Sequence, residues 1–529
     1  MKKLFTHLLF ITIAVHHTYG QSSTLVKDLN IGSGDGFDEW NYKAVKYKES
    51  FILPAQNGDN NLELYSFKDG NISIIKDINP AGGSKPDNLL LFKNKIYFIA
   101  TTEENGREIW CTDGTAEGTV LAIDIISGKE SGSPDKLIVA NNNLLYFSAN
   151  NKVYVSDGTQ SNTKEIAGFK IVNFNKNASD NRTSAAAYKQ GVAFVNKNEK
   201  LYQIYYHDGA KLTMLHEFTN GYFTTVSDLM EVSAGLIFIV QDSFTEDFNG
   251  VFLIDKFTNK VSRLLNADNK AFVSRQMIRL NNEKAIFYTD KALYISDGSG
   301  TGPSKLIDII SNGSNLSVGD IMNHIVIDGK MLIRAGGGFL SDYMFLTDGT
   351  VAGTKKIAEC KTYQSPMISS GNKAYWFAGI TNGFDVEMWE ADFTLGTAKQ
   401  INLIEVSKYI SSSAYPVCVE NNNLYYNSVL FGNGRELYKL NKDLSNVIKS
   451  QGNENNYKLS QLSEYVFNIY SQLENENLQV TQYDLAGRIL NNIETMSLQN
   501  FELNLSPGVS IIEVKGKSSR SVFRILKTN

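Results

Sequence analysis

The stretch KIYFIAT (95–101) is apolar at consecutive positions, and runs like it return down the chain. They include LLYFS (144–148), VAFV (192–195), LIFIV (236–240), AIFY (285–288) and AYWFAG (374–379). A strand with one wet face alternates polar and apolar residues, whereas an uninterrupted run marks a strand covered on both sides. Each such run has three short partners. In residues 88–124 the set reads NLLLF (88–92), KIYFIAT (95–101), REIWCT (107–112) and TVLAID (119–124), four strands separated by brief polar turns. Such quartets recur in nine copies, 42 to 51 residues apart. No window holds the 3.6-residue spacing of a helical repeat, and a β-helix would have much shorter coils. The pattern therefore predicts an all-β chain, a β-propeller of about eight or nine four-stranded blades.

The third run of each copy ends on an acidic turn. ELYSFKDG (63–70), EIWCTDGT (108–115), VYVSDGT (153–159), LYISDGS (293–299) and MFLTDGT (344–350) show it best, with Gly118-Thr119 and Gly353-Thr354 opening the next strand. Gly supplies the positive φ that a hairpin demands, and Asp can bond its own backbone two residues on. One carboxylate per loop is too few for calcium, which takes six to eight oxygen ligands. The motif is a turn. EIWCTDGTAEGT, MFLTDGTVAGT and LYISDGSGTG resemble the ELWxxDGTxxGT repeats of secreted Bacteroidota proteins, which implies propeller blades without an assigned activity. The resemblance covers most of residues 24–450.

Ring closure has two readings. TLVKDLN (24–30) resembles fourth strands such as SIIKDIN (73–79) and could complete the last blade, yet the ninth copy has its own candidate in NVIK (446–449). Nine blades exceed the usual four to eight.

After residue 450 a polar linker (451–457) leads to a different pattern over 458–529. LQVTQYDLAGRIL (478–490), FELNLSPGVSIIEV (501–514) and the basic end KGKSSRSVFRILKTN (515–529) read as a small C-terminal β-sandwich. This segment resembles the type A C-terminal sorting domain of the type IX secretion system. The matching residues are Val480, Tyr483, Asp484, Gly487 and Arg488, then Pro507 and Gly508 before a short basic strand. The usual opening Pro-Asn-Pro is absent, with YVFNIYS (465–471) in its place, and Ser510 stands where a Tyr is expected. The resemblance implies the type IX machinery as partner, with surface attachment or release after removal of the domain. An ordinary adhesion sandwich is the other reading.

The leading residues agree with export. Lys2 and Lys3 precede an apolar core, LLFITIAV (8–15), and Thr18 and Gly20 set up cleavage between Gly20 and Gln21, so residues 1–20 read as a signal peptide. The apolar run is too short to span a membrane, and no other stretch approaches spanning length. The expected location is extracellular or on the outer-membrane surface, by way of Sec and the periplasm. Losing two of the 51 basic residues takes the formal charge from −5 to −7, which argues against nucleic acid as a partner. Cys111, Cys360 and Cys418 lie in strand-like runs with no CxxC spacing, and read as buried free thiols.

Candidate chemistry is sparse. His207, His216 and His324 come from different copies, His207 in the position before Asp-Gly, and no pair has metal spacing. No catalytic residue, metal or cofactor is nominated. One constellation does recur: Asn-Gly followed by Glu and an aromatic, in copies one, two, eight and nine. These are Asn57-Gly58 with Glu63 and Tyr65, Asn105-Gly106 with Glu108 and Trp110, Asn382-Gly383 with Glu387 and Trp389, and Asn433-Gly434 with Glu436 and Tyr438. In a closed ring these copies are consecutive, and their turns share a face with the connectors between blades. Glu63, Glu108, Trp110, Glu387, Trp389 and Glu436 are then candidates for a rim that binds extracellular polysaccharide or a surface protein. The same residues admit another role, with Glu bonding turn backbone and the aromatics packed between blades. A polymer-degrading hydrolase or lyase and a structural surface-layer spacer remain alternative functions.

Overall fold

A computed structural model of the chain describes residues 22–30, 34–37, 43–58, 61–166, 184–198, 201–218, 224–242, 249–274, 276–289, 292–299, 302–309, 323–335, 342–360, 363–379, 387–401, 414–429, 435–441, 449–450, 457–461, 466–471, 477–483, 489–496, 500–502, 508–515 and 520–527. Every regular element among them is a β-strand. Blade two shows why the runs fold as they do. Its strands are Asp87–Phe92, Lys95–Thr102, Gly106–Thr112 and Val120–Ile123, joined in chain order as an antiparallel sheet. The second strand is buried continuously from Ile96 to Ala100, whereas the fourth is mostly open.

Nine such sheets follow one another among the described residues. In the eighth, the first strand is broken into Tyr363–Gln364 and Ile368–Ser370, both paired with Lys373–Gly379. Successive side chains of a second strand serve opposite neighbours. Ile96 and Phe98 pack with Ile52 and Leu64 of blade one, while Tyr97 packs with Leu145 and Phe147 of blade three. Similar clusters join the blades through to Leu332 and Met344 of blade seven against Trp376 of blade eight, and Phe377 then meets Tyr426 of blade nine with ring centroids 5.1 Å apart.

The ring closes on its own beginning. Ser22–Lys27 pairs with Arg435–Asn441 and is the fourth strand of blade nine, completing the order that Tyr415–Glu420 and Asn423–Val429 begin. Tyr425 and Leu437 of blade nine share a core with Leu53 and Tyr65 of blade one. Glu420 accepts the amides of Asp69 (2.9 Å) and Gly70 (3.0 Å) in the last turn of blade one. Of the other candidate, NVIK (446–449), residues 446–448 lie outside the described residues, and Lys449 pairs with Arg524 in the second unit. TLVK and NVIK carry the same apolar pattern, so only the pairing separates them.

The propeller unit spans Thr24–Gln400 and Val406–Leu440, and a second unit takes in Asn441–Asn529 together with Met1–Ser23 and Ile401–Glu405. That second unit contains a five-stranded and a three-stranded antiparallel sheet. Leu478, Val480, Ile512 and Val514 are buried hydrophobic positions along two paired strands, Asn477–Tyr483 and Gly508–Lys515. Among the described residues no helix is long and apolar enough to cross a membrane.

Candidate functional site

Three of the recurrent glutamates stand at equivalent positions on third strands, and all are fully buried. Each reaches the connector that leaves its blade's fourth strand. Glu63 accepts the amides of Ile78 (3.1 Å), Asn79 (3.2 Å) and Ser84 (2.8 Å), and the Ser84 hydroxyl at 2.6 Å. Glu108 accepts Ile125 (2.9 Å), Ile126 (3.4 Å) and Gly132 (2.6 Å). Glu436 accepts Leu29 (2.9 Å) and Asn30 (3.5 Å) across the closure. A Cβ at Gly132 would lie 2.6 Å from Glu108 Oε1, and one at Gly36 would lie 2.4 Å from Glu436 Oε2, so both connectors need glycine where the carboxylate arrives. The carboxylates clamp the connectors, and solvent on that face meets the connectors instead.

Burial without a cation partner raises these groups. Desolvation lifts Glu63 and Glu108 above the ordinary carboxylate value against the pull of their amide donors. Glu436 is pushed up to about 7, by burial first and by nearby Asp28 among the lesser causes.

The aromatic partners divide. Trp110 is buried in the core between blades one and two. Trp389 is half-buried, stacks on Trp376 with centroids 6.0 Å apart and donates its indole N–H to Glu387 at 3.2 Å. Glu387 is also half-buried, so this pair is the part of the candidate rim that keeps a surface. The turns at 382–383 and 433–434 lie outside the described residues. So do Gly20, Gln21, Asp484, Gly487, Arg488 and Pro507; Tyr483 ends the strand Asn477–Tyr483, which pairs with Ile489–Met496, and Gly508 opens the strand Gly508–Lys515.

The opposite face carries the Asp-Gly loops. In blade two, Asp113 Oδ1 accepts the Thr115 amide (3.0 Å) and hydroxyl (2.7 Å), Thr115 Oγ1 accepts Gly118 N (3.0 Å), and Thr112 Oγ1 meets Thr119 Oγ1 at 2.7 Å. Blade seven repeats this network with Thr347, Asp348, Thr350, Gly353 and Thr354. The Thr115 hydroxyl first, then its amide, holds Asp113 below the usual carboxylate range. His207 fills the first threonine's place in blade four, its Nδ1 accepting Gly209 N at 3.1 Å. The three cysteines are free and buried.

Blade five departs from the pattern and makes a site that the sequence analysis did not single out. Its third strand, Gly250–Asp255, continues into DKFTNK instead of Asp-Gly-Thr, and its fourth strand is only Val261–Arg263. Here a groove of about 780 Å³ opens between this loop, the connector 264–269 and Gly298, Ser299 and Gly302 of blade six. Asp255 Oδ1 accepts Phe257 N (3.0 Å), Thr258 N (2.7 Å) and the Thr258 hydroxyl (2.8 Å), which fixes one wall. Asn266 Oδ1 caps the other by accepting Asp268 N (3.0 Å) and Lys270 N (2.9 Å). The sequence shows DKFTNK where other copies have Asp-Gly-Thr, but not that the change leaves a groove.

No protein family and no curated protein matches the chain. Among solved structures it is similar to puromycin hydrolase, at 12% identity and TM-score 0.32, covering 65% of this chain and 58% of that one. It is also similar to the WD40 domain of SCAP from fission yeast (9% identity, TM-score 0.38, 67% and 94% covered). A third is the β-propeller domain of the Trilobed protease from Pyrococcus furiosus (14%, TM-score 0.32, 60% and 97%). Likeness at this level carries no functional weight, and the architecture stands on the sheet order and closure described above.

Proposed function

We propose that the chain is an exported binding propeller, carried out by a signal peptide and a type IX sorting domain, that holds an extracellular ligand at the cell surface or in the medium. The groove of about 780 Å³ between blades five and six supports the binding half of this reading. Its size suits a small-ligand site, and it lies where one blade breaks the repeat, so the ring supplies a frame and the exception supplies a surface. The buried glutamates of the arc are already occupied by connector amides, so the groove, not the arc, is the place left for a ligand. The export half is supported by the leader and by Tyr483, Asp484, Gly487, Arg488, Pro507 and Gly508.

Expression of the full chain in a host with type IX secretion tests the route. Wild-type protein is expected outside the cell, and Gly487→Ala with Arg488→Ala is expected to hold it in the periplasm. Mature protein recovered from the medium is then incubated with polysaccharides and surface extracts. Retention of the protein without release of new polymer ends supports binding; release of polymer ends replaces this reading with a hydrolase or lyase.

A further inference from the structure

We propose that the groove between blades five and six binds a short segment of an acidic polysaccharide, about two or three sugar units long. This rests on reading the propeller as a binding module. The groove offers donors that the fold leaves unused: the Lys260 ammonium, the Ser262 hydroxyl and the Asn269 amide line it, and none has a side-chain partner among the described residues. Among the described residues its only lining carboxylate is Asp255, which turns Oδ1 to the loop that carries it. Cationic charge therefore predominates, with Lys260 joined by Arg263. That guanidinium is already held, donating to the Asn249 carbonyl and standing 5.7 Å over the Phe252 ring. An anion meeting it finds a fixed fork.

Two further features favour a sugar polymer over a compact anion. Phe257, next to lining residue Thr258, is 87% exposed, the most open of the exposed large hydrophobic residues. Phe257 is not itself a lining residue, but an exposed aromatic ring on the loop that forms one wall can stack on the C–H face of a pyranose whose hydroxyls meet the groove's donors. The groove is also partly open to the surface and not an enclosed cavity, so a segment of a longer chain can enter it. Glycine keeps it clear: a Cβ at Gly302 would lie 1.9 Å from the Leu265 carbonyl oxygen, and the blade-six loop could not rest on the connector.

Calorimetric titration of the mature full chain tests this with tetrasaccharides of polygalacturonate (carboxylate), chondroitin sulfate (sulfate and carboxylate) and dextran (neutral). Binding to an acidic probe is expected, weakened by salt, and stronger than to dextran. Lys260→Glu and Phe257→Ala, both at exposed positions, are each expected to weaken it about tenfold with an unchanged unfolding midpoint. Acidic-probe binding undiminished in both variants overturns the groove assignment and leaves the binding module standing. Equal affinity for dextran overturns the acidic preference. Absence of binding to every probe, and to surface extracts as well, overturns both.

Discussion

Two kinds of carboxylate serve this chain, and their environments set them in opposite directions. Asp113 and Asp348 sit on exposed loops, where hydroxyl and amide donors from Thr115 and Thr350 lower them. Glu63, Glu108 and Glu436 are buried with amide donors and no cation, and desolvation raises them. A carboxyl whose folded pKa exceeds its unfolded value binds its proton more readily in the native chain. Its contribution to stability is complete below the ordinary value of 4.5 and is lost as pH rises through about 7 for Glu436. Denaturant midpoints of the wild-type protein are therefore expected to fall between pH 5 and pH 8. Burial holds His207 and His216 below the usual imidazole value, which acts in the opposite sense at the acid end. The Glu436→Gln variant isolates the carboxyl: its midpoint is expected to fall less over the same interval, and an unchanged slope would contradict the assignment. The recurrence of Glu before an aromatic was legible in the sequence. Its partners were not, since Glu436 meets Leu29 and Asn30 from the far end of the chain, and no local pattern announces a contact of that range.

At the scale of the element, the DGTxxGT loop gives every conspicuous letter a task. Gly114 stands at φ +91°, and Asp113 itself is not in the left-handed region, so the loop is not the two-residue hairpin that Asp-Gly suggests. Among the described Asp-Gly loops between third and fourth strands, only that of blade one makes the tight turn, with Asp69 at φ +51° and Gly70 at +77°. In the longer loops the second glycine answers sterics, because a Cβ at Gly353 would lie 2.1 Å from Asp348 Oδ1. Gly353→Ala must displace that carboxylate from Thr350 and is expected to cost about 1–2 kcal/mol, read as a lower urea midpoint with unchanged m-value. Adding Asp348→Ala should make little further difference, since the bond is already broken; additive losses would show that the two residues act separately. The two glycines and the threonines were visible as a motif. What the sequence left open was the long loop against the tight turn, because both begin with the same dipeptide.

At the scale of the whole molecule, the start of the chain completes its last blade. Continuous apolar runs made the blades legible, because a strand packed between two neighbours needs both faces apolar, as Ile96 and Tyr97 illustrate by facing opposite ways. Closure was not legible to the same degree: TLVK (24–27) and NVIK (446–449) fit a fourth strand equally well by pattern. Topology chooses the first, and the choice has a mechanical consequence. Seven other blades take their fourth strand directly from the third within one stretch of chain, as Asn71–Lys76 follows Leu62–Lys68, and the eighth does so with Thr397–Ile401. The ninth alone borrows it from the chain's beginning, and Glu436 fastens the connector that follows. Removing residues 22–27 from the mature chain should strip Arg435–Asn441 of its outer partner and leave a free edge. Amide exchange is expected to accelerate across Arg435–Asn441 while Gly106–Thr112 of blade two stays protected, and association through the bare strand is expected to rise with concentration. Were the NVIK segment able to close the ring instead, both regions would keep their protection after the deletion. The comparison within a single exchange experiment separates a wheel held by its first strand from one that closes without it.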